Sequence, residues 1–446
     1  MIPLSNHSRF KYIQSMKSLS TLKDHLYKYY LLYLLLIFFF PMRNRVKGSL
    51  RGVIWSDCEG YYMYLPAVFI QKDVHQMQHG SIVDTQNDKG EFVDKFTCGV
   101  AMLQMPFFLV AKAIADYRGY DPMDFFSDHY AMSIAIGGYL IGFLGLLFLK
   151  RGLRLHYSRW VVFLTIIGVF FGTNLFHYAT KEMGMSHVYS FMLFAFLVWR
   201  VPLFYRNPNG VMAFVLGLVA GWIVLIRPTN ILVLLFIVLY GVENLNGLKD
   251  RVLWWMQHAK YIGYAFVGAL LIMMPQFLYW HEMTGHFIFY SYQGEGFPYW
   301  NNPKILAVLF DTQNGLLMYS PLVIFMLLGI VLGWKKPESQ AKVVALIFVL
   351  ATYIFSSWWA WWFGGAFGHR SYVELYAFMS LPLAYFLSVV INSKSKFQKF
   401  ALYFVFVFFT YYSVGLSYLY RAPWDGPDWR WNLDKMMEIW SQLFVF

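Results

Sequence analysis

The sequence predicts an all-α polytopic membrane protein, a bundle of about eleven transmembrane helices with interfacial helices in its first long loop. Three observations carry that prediction. The 446 residues are 59% hydrophobic and only 13% charged, against about 25% charged in an average soluble domain. Apolar runs of about 17–22 residues, enough to cross a bilayer as helix, recur along almost the whole chain. Cations gather in alternate short loops, the pattern that sets orientation in membrane proteins.

Taken in order, the spans fall near 27–41, 129–149, 160–176, 187–199, 211–226, 229–243, 261–280, 317–333, 343–357, 372–391 and 400–419. With the N-terminus in the cytoplasm, the inner loops carry fifteen cations: Lys150, Arg151, Arg154, Arg159, Arg200, Arg206, Lys249, Arg251, Lys260, Lys335, Lys336, Lys342, Lys394, Lys396 and Lys399. The outer short loops carry four, Lys181, Arg227, Lys304 and Arg370. That bias follows the positive-inside rule. The first span does not decide it, because Arg43, Arg45, Lys47 and Arg51 on one side balance Arg9, Lys11, Lys17, Lys23 and Lys28 on the other.

Segment 99–116 is apolar enough to span, but alone it would invert every later loop and turn the fifteen cations outward. It is therefore expected to lie in the interface, where Gln104, Pro106 and Lys112 are tolerated. The stretch 60–70 is too short to span and reads likewise; if both dipped deeply as a pair, parity would be preserved and Asp57 would keep its outer location. The organisation is a basic cytoplasmic segment (1–26), a transmembrane domain (27–419) whose outer loop 42–128 holds the interfacial helices, and an outer tail (420–446). In that tail Trp424, Asp425, Asp428, Trp429 and Trp431 suit a small amphipathic lid, too short to fold alone. No small-x-small site follows the first run, so no cleavable signal is expected.

Composition also excludes. The net charge of +12, from 36 basic and 24 acidic residues, reports topology rather than nucleic-acid binding. No GxxxxGK[ST] loop is present, which argues against a nucleotide-driven pump. Two cysteines without a CxxC support no structural zinc site. Cys58 and Cys98 share the outer loop, so a disulfide is permitted there.

In this topology the uncommon polar residues fall on the outer side. The first loop opens with Asp57-Cys58-Glu59-Gly60-Tyr61-Tyr62. Later come His177, Lys181, Glu182 and His187, then Arg227-Pro228-Thr229-Asn230, then His281, Glu282, His286, Glu295 and Asp311. Last are His369-Arg370-Ser371, with Glu374 one turn further. Charges at a membrane mouth are functional candidates by default, and their convergence on one face reads as a single outer cavity. The bland readings are a solvated Lys181–Glu182 pair, a snorkelling Arg227 and capping histidines. The Trp358-Trp359-Ala360-Trp361-Trp362 run reads first as an interfacial anchor; it also suits stacking on a sugar or a lipid, with Trp361 and Trp362 as the candidates for contact.

A carboxylate among cations at a lipid surface suits transfer of a sugar from a lipid phosphate. The phosphate leaves readily, so one base for the acceptor's proton and cations for the departing phosphate suffice. Asp57 is the candidate base, and Glu59, the second catalytic candidate, either supports it or orients the acceptor. Two close carboxylates would raise one pKa. Arg370, with its fixed fork of donors, is the best phosphate clamp; His369, Lys181 and Arg227 are further candidates. Tyr61, Tyr62, Glu182, His187, Glu295, Trp361, Trp362 and Glu374 are candidates for substrate contact.

These residues and this layout resemble the GT-C superfamily of polytopic glycosyltransferases. The branch it looks most like holds the protein O-mannosyltransferases and the aminoarabinose transferase of lipid A, together with envelope proteins of Bacteroidetes-type bacteria. The resemblance rests on the Asp57–Tyr62 motif after the first span, Leu225-Ile226-Arg227-Pro228-Thr229-Asn230, Tyr319-Ser320-Pro321, and Trp361-Trp362-Phe363-Gly364-Gly365 with Arg370-Ser371. It covers the architecture of residues 27–420. It implies a polyprenyl-phosphate-linked sugar as donor, an envelope acceptor (lipid A, polysaccharide or protein), inversion at the anomeric carbon, and Asp57 as base. It further implies a bacterial inner-membrane location with the site facing the periplasm. The branch often shows adjacent Asp-Glu; here Cys58 intervenes, so Glu59 need not carry the family's second acidic role. No metal is expected to be required, although some of these enzymes bind a divalent cation. A transporter or flippase would show internal repeats and charged midplane helices, and a non-catalytic assembly protein would not need the acidic pair.

Overall fold

The computed structural model describes residues 24–37, 53–77, 86–420 and 433–443. Among these the protein is all-helical, with one isolated antiparallel bridge between Gln86 and Phe92 in the first loop. Residues 24–37 form helix α1. There follow α2 (Asp57–Pro66), α3 (Gly99–Arg118), α4 (Asp128–Leu153), α5 (Arg159–Phe171), α6 (Leu175–Thr180), α7 (Ser186–Arg206), α8 (Gly210–Ile226) and α9 (Val233–Leu239). Then come α10 (Leu245–Gln257), α11 (Ala259–Thr284), α12 (Ile305–Phe310), α13 (Leu316–Tyr319), α14 (Val323–Leu332), α15 (Ala341–Ser357), α16 (Tyr376–Asn392), α17 (Lys396–Leu419) and α18 (Leu433–Leu443).

Six described helical stretches are long and apolar enough to cross a membrane: α3, α4, α7, α11, Pro337–Ser357 and α17. The chain is thus a helical protein with the makings of several passes. The remaining predicted spans are shorter or broken. The span 160–176 divides at Gly172–Asn174 into α5 and α6, and 317–333 divides at Ser320-Pro321 into α13 and α14. Pro321 lacks an amide hydrogen and disfavours helix at Ser320, which accounts for the second break.

One reading of the first loop changes. Of the stretch 60–70 expected to lie on the lipid surface, Val68 is half exposed, but Gly60–Pro66 are all buried within α2. It is a core helix, because its tyrosines find partners inside: Tyr62 Oη donates to the Phe125 carbonyl at 2.6 Å and Tyr64 Oη to Phe96 at 2.7 Å. Segment 99–116 forms α3, a continuous 20-residue helix of membrane length. Its first turn abuts Ile226 at the end of α8, and its body packs along the first half of α4. The basic lead up to residue 23 and the tail tryptophans Trp424, Trp429 and Trp431 lie outside the described residues.

Small residues seat the helices. α4 and α7 run parallel, with Gly138 against the Met183 carbonyl and Gly152 against Val198. α8 and α11 also run parallel, with Gly217 against Ala265 and Gly268 against Phe214 backbone. Between apolar helices, close backbone approach through small residues is the main source of association. At one end of the bundle, loops carrying several of the predicted inner cations meet: Lys342 pairs with Glu243 at 3.0 Å, His156 Nε2 stands 3.2 Å from Tyr240 Oη, and Tyr157 Oη donates to the Glu338 carbonyl. The opposite end gathers the acidic and histidine candidates.

Candidate functional site

Four chain segments build the site at that opposite end. α2 begins at Asp57, after Ser56 with φ of 54° and ψ of −138°. This left-handed backbone is costly for a residue other than glycine, and such strain collects at functional sites. α8 ends at Ile226, and Arg227-Pro228 turn the chain into a 3₁₀ segment, Pro228–Leu232. Segment 94–98 leads into α3, and the loop 358–375 leads into α16.

A buried polar lattice holds that last loop. The Tyr376 hydroxyl donates to Asn174 Oδ1 at 2.8 Å, the Asn174 amide to Ser320 Oγ at 3.0 Å, and Asn174 Nδ2 to the Phe367 carbonyl at 3.1 Å. The Tyr178 hydroxyl accepts from the Phe367 amide at 3.1 Å. Gly368 has φ of 64°, and a Cβ there would stand 2.7 Å from Tyr319 Cβ. Only glycine meets both demands. This explains structurally why Tyr319-Ser320-Pro321 and the Gly-rich run belong together.

The loop delivers Arg370, whose Nη1 stands 2.9 Å from Asp57 Oδ2. Both side chains are about one-sixth exposed, at 17% and 16%. They line one cavity of about 230 Å³, together with Tyr61, Lys95, Arg227, Thr229, Tyr292 and Trp358. Arg227 Nη1 donates to Ser371 Oγ at 3.2 Å and lies 3.7 Å from Glu374 Oε1. Glu374 is fully buried; it also accepts from Asn230 Nδ2 at 3.2 Å and faces His187 Nδ1 at 3.3 Å. Lys95 pairs with Glu295 and lies over the Tyr292 ring at 4.8 Å.

Burial pushes the Asp57 carboxyl up, but Arg370, with Arg227, His187 and Lys95, holds it below its usual range. Asp57 therefore does not show the expected acid–acid elevation. Asp57 and Glu59 are two residues apart on a helix, where side chains point to different faces, and Glu59 is not among the cavity-lining residues. Glu182 is likewise held low: burial raises it, and His177, 3.4 Å away, with Arg370 and His187 lowers it. Burial, reinforced by Arg227 and Arg370, drops His369 to about 3, so its ring is neutral. Burial disfavours the Arg370 charge, yet Asp57 leads the groups that raise its pKa above the ordinary value.

The predicted residues therefore separate. Asp57, Tyr61, Arg227 and Arg370 line the cavity. Glu182, His187, His369, Glu374 and Glu295 support them from behind or beside. Lys181 donates to the Ser417 carbonyl and lies over Tyr418 at 4.4 Å, away from the cavity lining. Tyr62 is committed to the core. Trp361 and Trp362 pack edge to face, 5.5 Å apart, and Trp358 lines the cavity in their place. The residues that sequence reasoning missed are Lys95, Thr229, Tyr292 and Asn230. A lone Lys95 in a long loop carries no motif signal, whereas Thr229 and Asn230 lay inside a motif already singled out.

Cys58 and Cys98 are both free and buried. The permitted disulfide between them is therefore not formed, and Cys98 Sγ stands 4.0 Å from Met102 Sδ. Among the described residues no group of three or more His, Cys, Asp or Glu converges to hold a metal ion. No family model, curated protein or solved structure matches the chain.

Proposed function

We propose that the protein is a membrane glycosyltransferase that moves a sugar from a polyprenyl-phosphate donor to an envelope acceptor, with inversion. The observation that carries this reading is the cavity in which one carboxylate, Asp57, meets three cations, Arg370, Arg227 and Lys95, among aromatic rings. Asp57 takes the proton of the acceptor hydroxyl as its oxygen bonds to the anomeric carbon. The bond from that carbon to the phosphate oxygen breaks, and its electron pair leaves with the lipid phosphate. Arg370 and Arg227 bind the phosphate, where negative charge grows. Tyr292 and Trp358 offer faces to the sugar ring.

A lipid tail has a path as well. An apolar groove of about 950 Å³ lies between α8, α9, α10 and α11. Ile231 in its lining is two residues beyond Thr229 of the cavity wall. The end of the bundle opposite the cavity carries the cationic loops, which supports a bacterial inner-membrane protein with its site facing the periplasm. A divalent cation as an auxiliary stays compatible with this chemistry.

The test compares the glycan and lipid A mass profiles of a deletion strain complemented with wild type or Asp57→Asn. Loss of one sugar mass on deletion, restored by the wild type only, supports the reading. Full restoration by Asp57→Asn at equal expression removes Asp57 as base and favours a flippase or a non-catalytic assembly protein.

A further inference from the structure

All three cations at the cavity wall are already paired with a carboxylate. Arg227 faces Glu374, and Lys95 faces Glu295; neither of those acids is among the cavity-lining residues. Arg370 faces Asp57, and that pair alone has both members in the lining. An incoming anion that draws Arg227 away takes a partner from a fully buried Glu374, and stranding a buried charge is expensive. An anion that draws Arg370 away leaves Asp57 facing the cavity, where the ligand itself lies. Exchange is least costly at Arg370.

We propose that the Asp57–Arg370 ion pair is a latch opened by the donor: the lipid phosphodiester takes the guanidinium from Asp57, so the donor binds before the carboxylate can act. This rests on the transferase reading above. The exchange also improves the base. Burial raises the Asp57 carboxyl, and the neighbouring cations, Arg370 first, are what hold it low. Once the phosphodiester compensates Arg370, burial prevails, and the carboxylate becomes more basic when a donor is present to react. Before that, an acceptor hydroxyl meets a carboxylate already satisfied by its partner. After transfer the proton sits on Asp57 and the extra negative charge on the released lipid phosphate. Departure of that lipid and loss of the proton restore the pair.

The experiment is equilibrium binding of farnesyl methyl phosphate, a lipid phosphodiester of fixed single charge, to the full chain in nanodiscs, with farnesol as the uncharged control. Asp57→Asn should bind the phosphodiester about tenfold more tightly than wild type, because no carboxylate competes for Arg370. Asp57→Glu should bind as wild type does, and farnesol should not distinguish the three. Asp57→Ser is read in the same way should the Asn variant fold poorly. Equal or weaker binding of the phosphodiester by both uncharged variants overturns the latch: Arg370 then serves both groups at once, through Nε, which finds no hydrogen-bond partner among the described residues. Wild type and variants that all bind the phosphodiester no better than farnesol overturn the transferase reading as well as the latch.

Discussion

Replacing Arg370 by Gln should destabilise the protein strongly, and removing Asp57 at the same time should add little further loss. At 2.9 Å, two unit charges attract by about 6 kcal/mol at an effective dielectric of about 20. Both partners are more than four-fifths buried, so solvent screens them little, and desolvation of the two groups offsets part of the gross attraction. Breaking one side of such a pair typically costs about 3–5 kcal/mol, because the other charge stays buried without compensation. Arg370→Gln and Asp57→Asn are each expected at about 3 kcal/mol, and the double variant at about 3–4 kcal/mol rather than the sum. The coupling energy is then about 2–3 kcal/mol. The assay is reversible unfolding of the four proteins in mixed micelles, read as a double-mutant cycle. Additivity of the two single changes within about 0.5 kcal/mol would falsify the account, because residues in one ion pair must couple.

Two further outcomes are expected. Gly368→Ala combines a left-handed backbone with a Cβ set 2.7 Å from Tyr319; it should cost about 2–4 kcal/mol. Gly364→Ala has φ of 71° but open space, and should cost only about 1–2 kcal/mol; equal melting temperatures for the two would remove the close-approach argument. His369 stays neutral in the fold down to about 3, while the unfolded chain protonates it near 6.5. The unfolded state therefore binds more protons between those values, and stability falls as pH drops below 6.5, by about 1.4 kcal/mol per pH unit. His369→Phe should flatten that slope in unfolding measured from pH 6.5 to 4.5, and an unchanged slope would show that His369 is not the group responsible.

Much of the helical layout was legible because apolar runs and breakers are local signals. The bundle's helices sit where hydropathy places them, and the break at Ser320-Pro321 is chemistry written in two residues. The number of crossings is less local. Segment 99–116 became an interfacial helix by counting cations in distant loops, whereas its length and composition alone suit a crossing. In the site, Asp57, Arg227 and Arg370 stood out because charge beside an apolar run is rare. Glu59 was paired with Asp57 by proximity in sequence, but the turn of a helix separates residues two apart. Lys95 was invisible for the opposite reason, since its partners Glu295 and Tyr292 are about 200 residues away. Tyr62 and Tyr61 are adjacent letters with different fates, decided by which carbonyls lie within reach.

The distance along the chain between Asp57 and Arg370 has a consequence for synthesis. Roughly 300 residues separate the partners, and ribosomes add about 5–20 residues per second. For roughly 15–60 seconds the acidic opening of α2 exists without the cation that matches it. During that interval it must stay in water or beside another partner, because unpaired carboxylates are costly to bury. The cavity therefore closes late, when the 358–375 loop arrives and is pinned by Asn174 and Tyr178. A chain truncated before that loop would place its early helices and still leave the mouth of the bundle wet, which makes the exposed carboxylate a natural mark of an unfinished molecule.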